Sequence, residues 1–70
     1  MITKEVNIEL AGKTASKVNC KTILVDTENN HNLIFDAVDE NDTVYYTDIA
    51  LNLNDLPFEL TAEEIAELQR

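Results

Sequence analysis

The side chains in this sequence that could do chemistry are mainly carboxylates, and they concentrate around one predicted β-hairpin. Residues two apart on a strand lie about 6.6 Å apart, so alternate acids project along one side at roughly the spacing of backbone phosphates. A tyrosine predicted to share a strand face with Asp48 adds an aromatic anchor of the kind enriched at protein interfaces. We therefore predict a partner-binding surface formed by Asp36, Asp39, Glu40, Asp42, Tyr46 and Asp48.

Catalytic, metal and cofactor motifs fail when their spacing is tested. Asp39, Asn41 and Thr43 alternate like calcium ligands, but Val44 and Ala50 stand where an EF-hand needs glycine and glutamate. Gly12-Lys13-Thr14 resembles the end of a phosphate-binding loop, but the glycine required five positions earlier is absent. Cys20 and His31 are single residues that nothing in the sequence places together. We expect a protein that is not an enzyme and has no metal site or cofactor.

The charge distribution indicates the kind of partner. The chain has a net charge of −9, and all four lysines lie within residues 1–21. Residues 22–70 hold twelve acids and a single base, Arg70. Direct nucleic-acid binding requires clustered Lys and Arg, which residues 22–70 lack. Anionic membranes would repel a chain with this excess of acidic residues. We expect a basic protein partner, such as a nucleic-acid-binding protein, and no direct contact with nucleic acid or membrane. The N-terminal residues do not read as an export signal, so cytoplasmic residence is expected.

The elements that must position these side chains follow from hydrophobic periodicity. The length predicts one acidic α+β domain over residues 1–70. Four strands are predicted, separated by turns rich in Gly, Asn and Asp, and short connections favour an antiparallel meander. The strands are predicted at 2–10, 17–26, 33–38 and 43–51.

A short C-terminal helix is predicted by its start signal. Thr61 and Glu64 have capping-box spacing, and Leu60 and Ile65 are placed for a hydrophobic staple. A helix this short is marginal alone, so we expect it to dock on one face of the sheet through Ile65 and Leu68.

One helix covers only one face, which leaves an apolar patch on the other. The patch is predicted to include Ile34, Val38 and Val44. Either the connection over residues 52–60 folds over it, or it is a homodimer or partner interface.

Two functions from different classes therefore stand. The first is a small binding or inhibitory module whose acidic surface occupies a basic site on a partner, in the physical format of nucleic-acid mimics such as small phage anti-defence proteins. The alternative is a structural or accessory subunit that dimerises or joins an assembly through the apolar sheet face. Acids that serve only solubility are the simpler explanation of the charge.

Overall fold

Four antiparallel strands in sequence order form an open sheet in the computed structural model, which describes all 70 residues. The strands are β1 (Ile2–Leu10), β2 (Lys13–Val25), β3 (His31–Val38) and β4 (Val44–Asn52). A 3-10 turn at Leu53–Asp55 and the helix α1 (Ala62–Leu68) complete the chain. The predicted α+β meander with a C-terminal helix is confirmed. Neither helical segment has the length and apolar character needed to cross a membrane.

The first hairpin turn requires two residues with left-handed backbone. Leu10 pairs with Lys13, and the two residues between them have φ values of 55° at Ala11 and 79° at Gly12. Two-residue hairpin turns favour this conformation because its twist matches that of the strands. Gly12 adopts it freely, whereas Ala11 does so at a steric cost. Because the turn is so short, β2 begins four residues earlier than the predicted start at Lys17.

The other two turns share one construction around an aspartate. Asp26 Oδ1 accepts the N–H groups of Glu28 and Asn30, each at 2.9 Å. Asp39 Oδ1 accepts those of Asn41 and Thr43 at 2.9 and 3.0 Å. In each turn the third residue after the aspartate has positive φ, 65° at Asn29 and 66° at Asp42. Asn and Asp tolerate that conformation, so these polar segments specify the turns through their own side chains.

Irregular pairing interrupts each of the three strand pairs. The register shifts between Glu5 and Ile8 in β1 and between Cys20 and Thr22 in β2. It shifts twice along β4, opposite Phe35–Val38. Each extra residue bends its strand and changes which side chains share a face.

The alternation predicted for β4 is therefore wrong at one point. Tyr46 pairs with Ala37, whereas Asp48 has a φ of 54° and donates its N–H to Asp36. Asp36 and Ala37 are consecutive in β3 and point to opposite faces. Tyr46 and Asp48 consequently do not share a face.

The core lies on the face of the sheet that carries Phe35. Its buried residues are Val18, Cys20, Ile23, Leu33, Phe35 and Leu68. Residues of the connection over 52–60 pack on the same cluster, and the Phe58 ring meets the Phe35 ring edge-on at 5.4 Å. The alternative that this connection covers the opposite face is wrong, because the core cluster already holds its apolar side chains.

The helix begins as its capping signal predicts. Thr61 Oγ1 accepts the Glu64 N–H at 3.1 Å, and Glu64 Oε1 accepts the Thr61 N–H at 2.9 Å. Glu64 also accepts a hydrogen bond from Lys4 Nζ at 2.7 Å, which ties α1 to β1. Leu68 is 4% exposed and anchors the helix, and Ile65 packs against the same core.

Candidate functional site

The predicted acidic surface is built on β3, β4 and the turn between them, and its carboxylates have three different environments. We name the set Asp36, Asp39, Glu40, Asp42 and Asp48 the hairpin acidic surface. Asp36 is only 8% exposed, although it points away from the core between Phe35 and Ala37. Lys21 Nζ lies 3.1 Å from Asp36 Oδ1 and 2.8 Å from Asp48 Oδ1. The carboxylates of Asp48 and Asp36 raise the pKa of Lys21, which stays charged.

Two strand irregularities assemble this Lys21 triad (Lys21, Asp36 and Asp48). In β2 the extra residue at Lys21 lies between the Cys20–Phe35 and Thr22–Ile34 pairs. In β4 the extra residue near Asp48 lies between the Ile49–Phe35 and Tyr46–Ala37 pairs. The β4 irregularity lies opposite Asp36, and the β2 irregularity lies next to it, opposite Ile34 and Phe35. The Asp36 carboxylate accepts the Asp48 N–H at 2.9 Å and also pairs with Lys21. Asp36 therefore stabilises the bulged sheet and presents little surface to a partner.

Asp39 is also occupied within the fold. Its carboxylate accepts two turn N–H groups and lies 3.7 Å from Lys13 Nζ. The hydrogen bond from the Thr43 backbone is the main reason that the pKa of Asp39 is lowered, and Lys13 adds to it. The Asp39 carbonyl accepts the Ser16 hydroxyl at 2.8 Å, which ties β2 to the turn. Asp39 holds the hairpin in shape.

The remaining three acids are presented to solvent. The Asp42 side chain is 72% exposed and pairs with Lys17 Nζ at 2.9 Å, and the Asp48 side chain is 68% exposed. The hydrogen bond with Asp42 raises the pKa of Lys17. Glu40 is exposed, and its carboxylate makes no ion pair. The structure thus brings together the predicted acids but leaves only Glu40, Asp42 and Asp48 accessible.

The two tyrosines have different roles. Tyr46 is 49% exposed and lies on the other face from the Lys21 triad. The Tyr45 hydroxyl donates to the Leu10 carbonyl at 3.0 Å, and Lys13 Nζ lies 5.2 Å from the centre of its ring. Burial is the main reason that the pKa of Tyr45 is raised. Tyr45 therefore fastens the β1–β2 turn to β4, a role that its strand periodicity does not indicate.

The lysines are the residues that sequence reasoning missed at this surface. All four form ion pairs with carboxylates of residues 36–64, so they are not a separate basic region. The signal was present in the predicted β2–β3 hairpin, because antiparallel pairing brings Lys17 next to Val38 and Asn19 next to Asp36. Five acids pair with these four lysines, and the other nine of the fourteen have no cationic partner.

The apolar residues proposed as an interface do not form one continuous patch. Val38 is 4% exposed, Ile34 is half-buried and Val44 is 42% exposed. Asp36 lies between Ile34 and Val38 on the same side of β3, with Lys21 and Asp48 beside it. A charged cluster therefore interrupts the face, and only Val44 of the three offers a largely open side chain. Dimerisation through this face stays a prediction.

No group of three or more His, Cys, Asp or Glu side chains is arranged to hold a metal ion. The Cys20 thiol is fully buried, and burial raises its pKa to about 11. A thiol with so high a pKa is a poor nucleophile at neutral pH.

Comparisons with protein-family models, curated protein sequences and solved structures found no match for this chain.

Proposed function

We propose that this protein is a non-catalytic binding module that occupies a basic site on a partner protein through its hairpin acidic surface. The observation that carries the proposal is the pairing of the charges. Every lysine is held by a carboxylate of the same chain, while nine carboxylates, of which Glu40 belongs to this surface, have no cationic partner. The exposed charge offered to a partner is therefore almost entirely negative.

The β3–β4 turn and strand β4 are the best place for contact. Glu40, Asp42 and Asp48 are exposed there, and they stand on a framework held by Asp36 and Asp39. β4 is also an edge strand, so its outer side is open to a partner. Acids held on a preformed framework lose little conformational freedom on binding, which favours affinity.

Arginines of the partner would compete with the protein's own lysines. The Lys17–Asp42 pair and the Asp48 end of the Lys21 triad are exposed, and exposed ion pairs contribute little stability. A guanidinium can engage a carboxylate through two parallel hydrogen bonds, which the lysine cannot. We infer that Asp42 and Asp48 exchange lysine for arginine on binding, and that the protein acts as an inhibitor where the basic site otherwise holds nucleic acid.

The experiment that tests this function is affinity capture from cell lysate at low and high salt, with mass-spectrometric identification and competition by double-stranded DNA. The test variant is Glu40→Gln, Asp42→Asn and Asp48→Asn, which leaves Asp36 and Asp39 in place. Asn tolerates the positive φ at positions 42 and 48. The matched control is Glu5→Gln, Glu9→Gln and Glu28→Gln, three exposed acids without ion pairs elsewhere on the surface.

Both triple variants have a net charge of −6, so they separate position from total charge. We expect the wild type and the control to capture a nucleic-acid-binding protein that DNA displaces, and the hairpin variant to lose it. Capture that survives high salt and the hairpin substitutions would contradict the proposal. Equal loss in both variants would also contradict it, since only bulk charge would then matter.

A further inference from the structure

A second surface, separate from the hairpin acidic surface, lies between the 3-10 turn and the start of α1. It is a groove of about 320 Å³ lined by five half-buried apolar residues and one acid: Leu53, Leu56, Phe58, Glu59, Leu60 and Ile65. These side chains pack against the core with one side only. The groove is therefore an open extension of the core surface.

The walls of the groove are fixed by local hydrogen bonds. Asn52 Oδ1 accepts the Asn54 N–H at 2.9 Å and caps the 3-10 turn. The capping box of Thr61 and Glu64 fixes the first turn of α1. Phe58 stands against Phe35 of the core. A preformed cavity with fixed walls binds a ligand without the cost of ordering a loop.

The charge around the groove is negative. Glu59 lines it, and Asp55 and Glu63 are exposed on the two elements that form its walls. No basic side chain lines it. Lys4, which reaches the start of α1, already holds Glu64 at 2.7 Å.

We propose that this groove binds a basic segment of a partner protein that inserts one or two large apolar side chains between flanking lysines or arginines. The volume is at the small end of ligand pockets, which suits one or two side chains better than a larger molecule. The acidic rim selects positive flanks by charge complementarity. A second copy of this chain is disfavoured as the occupant, because each copy has a net charge of −9.

Three synthetic 14-residue peptides test the groove on the intact protein. The first is an amphipathic helix with leucines on one face and lysines on the other. In the second, serines replace the leucines, and in the third, glutamates replace the lysines. At 150 mM NaCl, we expect fluorescence anisotropy to show that the leucine–lysine peptide binds at least tenfold more tightly than either of the other two peptides. Amide ¹H–¹⁵N shifts should concentrate in residues 53–65.

Paired variants locate the interaction. Glu59→Lys should weaken the leucine–lysine peptide at least fivefold, while Glu40→Lys, the same charge change in the β3–β4 turn at the other end of β3, should leave it unchanged. Leu56→Ser should weaken it and Val44→Ser should not, with dispersed amide spectra showing that each variant is folded. The hairpin triple variant should bind the peptide normally, which separates this proposal from the function proposed above.

Equal binding of the lysine peptides with leucine and with serine would overturn the proposal, since charge alone would then suffice. Shifts that map to residues 36–48 would overturn it as well. The wild-type shift map does not depend on any variant, so the proposal stays falsifiable even where Leu56→Ser fails to fold.

Discussion

Ala11 is the residue at which the backbone is most clearly at odds with its side chain. Its φ of 55° is a conformation that costs an L-residue about 1–2 kcal/mol, and Asn is preferred at this position of such turns. We expect Ala11→Asn to raise the free energy of unfolding by about 1 kcal/mol in urea titrations. The same substitution at Ala66, an exposed helical position, should lower it by about 0.5 kcal/mol. A lower stability for Ala11→Asn would contradict the turn geometry.

Cys20 gives a second prediction at the residue scale. Its thiol is fully buried and burial raises its pKa to about 11, so the reactive thiolate is scarce in the folded protein. We expect a thiol reagent such as Ellman's to label the native protein at pH 8 only as fast as the protein unfolds. Labelling in concentrated urea should be complete within the mixing time. Rapid labelling without urea would show that Cys20 is accessible.

Single residues also mark where sequence-based prediction of the site stops. Asp36 and Asp39 have the residue type and spacing of a binding surface, yet their carboxylates are occupied by backbone N–H groups and lysines. Glu40 and Asp42 have the same residue type and spacing, and they are exposed. The difference depends on strand irregularities and side-chain hydrogen bonds, which hydrophobic periodicity does not encode.

The start of α1 rests on the capping box of Thr61 and Glu64. Thr61→Ala removes the hydroxyl that accepts the Glu64 N–H, and loss of such a cap costs about 1 kcal/mol. We expect that loss in urea titrations, together with faster exchange of the backbone amide hydrogens in residues 62–68. Thr61→Ser keeps the acceptor and should be nearly neutral. Equal destabilisation by Ser and Ala would show that the methyl group, and not the cap, matters.

The two aspartate-centred turns and the capping box predict how stability depends on pH. Hydrogen bonds from the Asn30 and Thr43 backbone lower the pKa of Asp26 and Asp39, and Lys4 lowers that of Glu64. A carboxylate with a lowered pKa in the folded state stabilises the fold above its unfolded pKa, and that contribution is lost as pH falls. We expect the free energy of unfolding to decrease below about pH 4, where unfolded Asp and Glu titrate.

Asp39→Asn should make the decrease in the free energy of unfolding at low pH less steep, because the amide is not protonated over that pH range. Glu40→Gln, the neighbouring acid without an ion pair, is the matched control and should leave the slope unchanged. Urea titrations between pH 7 and pH 2.5 measure both. An unchanged slope in Asp39→Asn would mean that this turn contributes nothing to the pH dependence.

The elements themselves were largely predictable because each has a strong local signal. Alternation predicts β1 over its full length, Asn and Asp runs predict the turns, and Thr61 with Glu64 predicts the helix start. The face of Tyr46 was not predictable, since one inserted residue reverses the side chains that follow, and the second insertion restores the predicted faces of Ile49 and Leu51. The Asp48 backbone with positive φ is held by Asp36 on another strand, a long-range contact without a local signature.

At the scale of the whole molecule, repulsion among carboxylates opposes folding. Nine acids have no cationic partner, while only five contribute to lysine pairs. Salt screens both the repulsion among carboxylates and the attraction within the lysine pairs. Because exposed ion pairs contribute little to stability, the relief of repulsion should dominate. We expect the melting temperature at pH 7 to rise between 10 and 500 mM NaCl. A gain of about 1 kcal/mol corresponds to about 4–8 °C in a domain of this size.

The variant Glu5→Gln, Glu9→Gln and Glu28→Gln tests the cause of that rise. It removes three unpaired charges and no lysine pair, so at 10 mM NaCl it should melt above the wild type and respond less to added salt. Lys17→Gln has the opposite effect on charge and breaks the pair with Asp42; its melting temperature should fall at low salt and recover as salt is added. A wild-type melting temperature that falls with salt would mean that the lysine pairs outweigh the repulsion. The unpaired acids would then impose no stability penalty that a basic partner could relieve on binding.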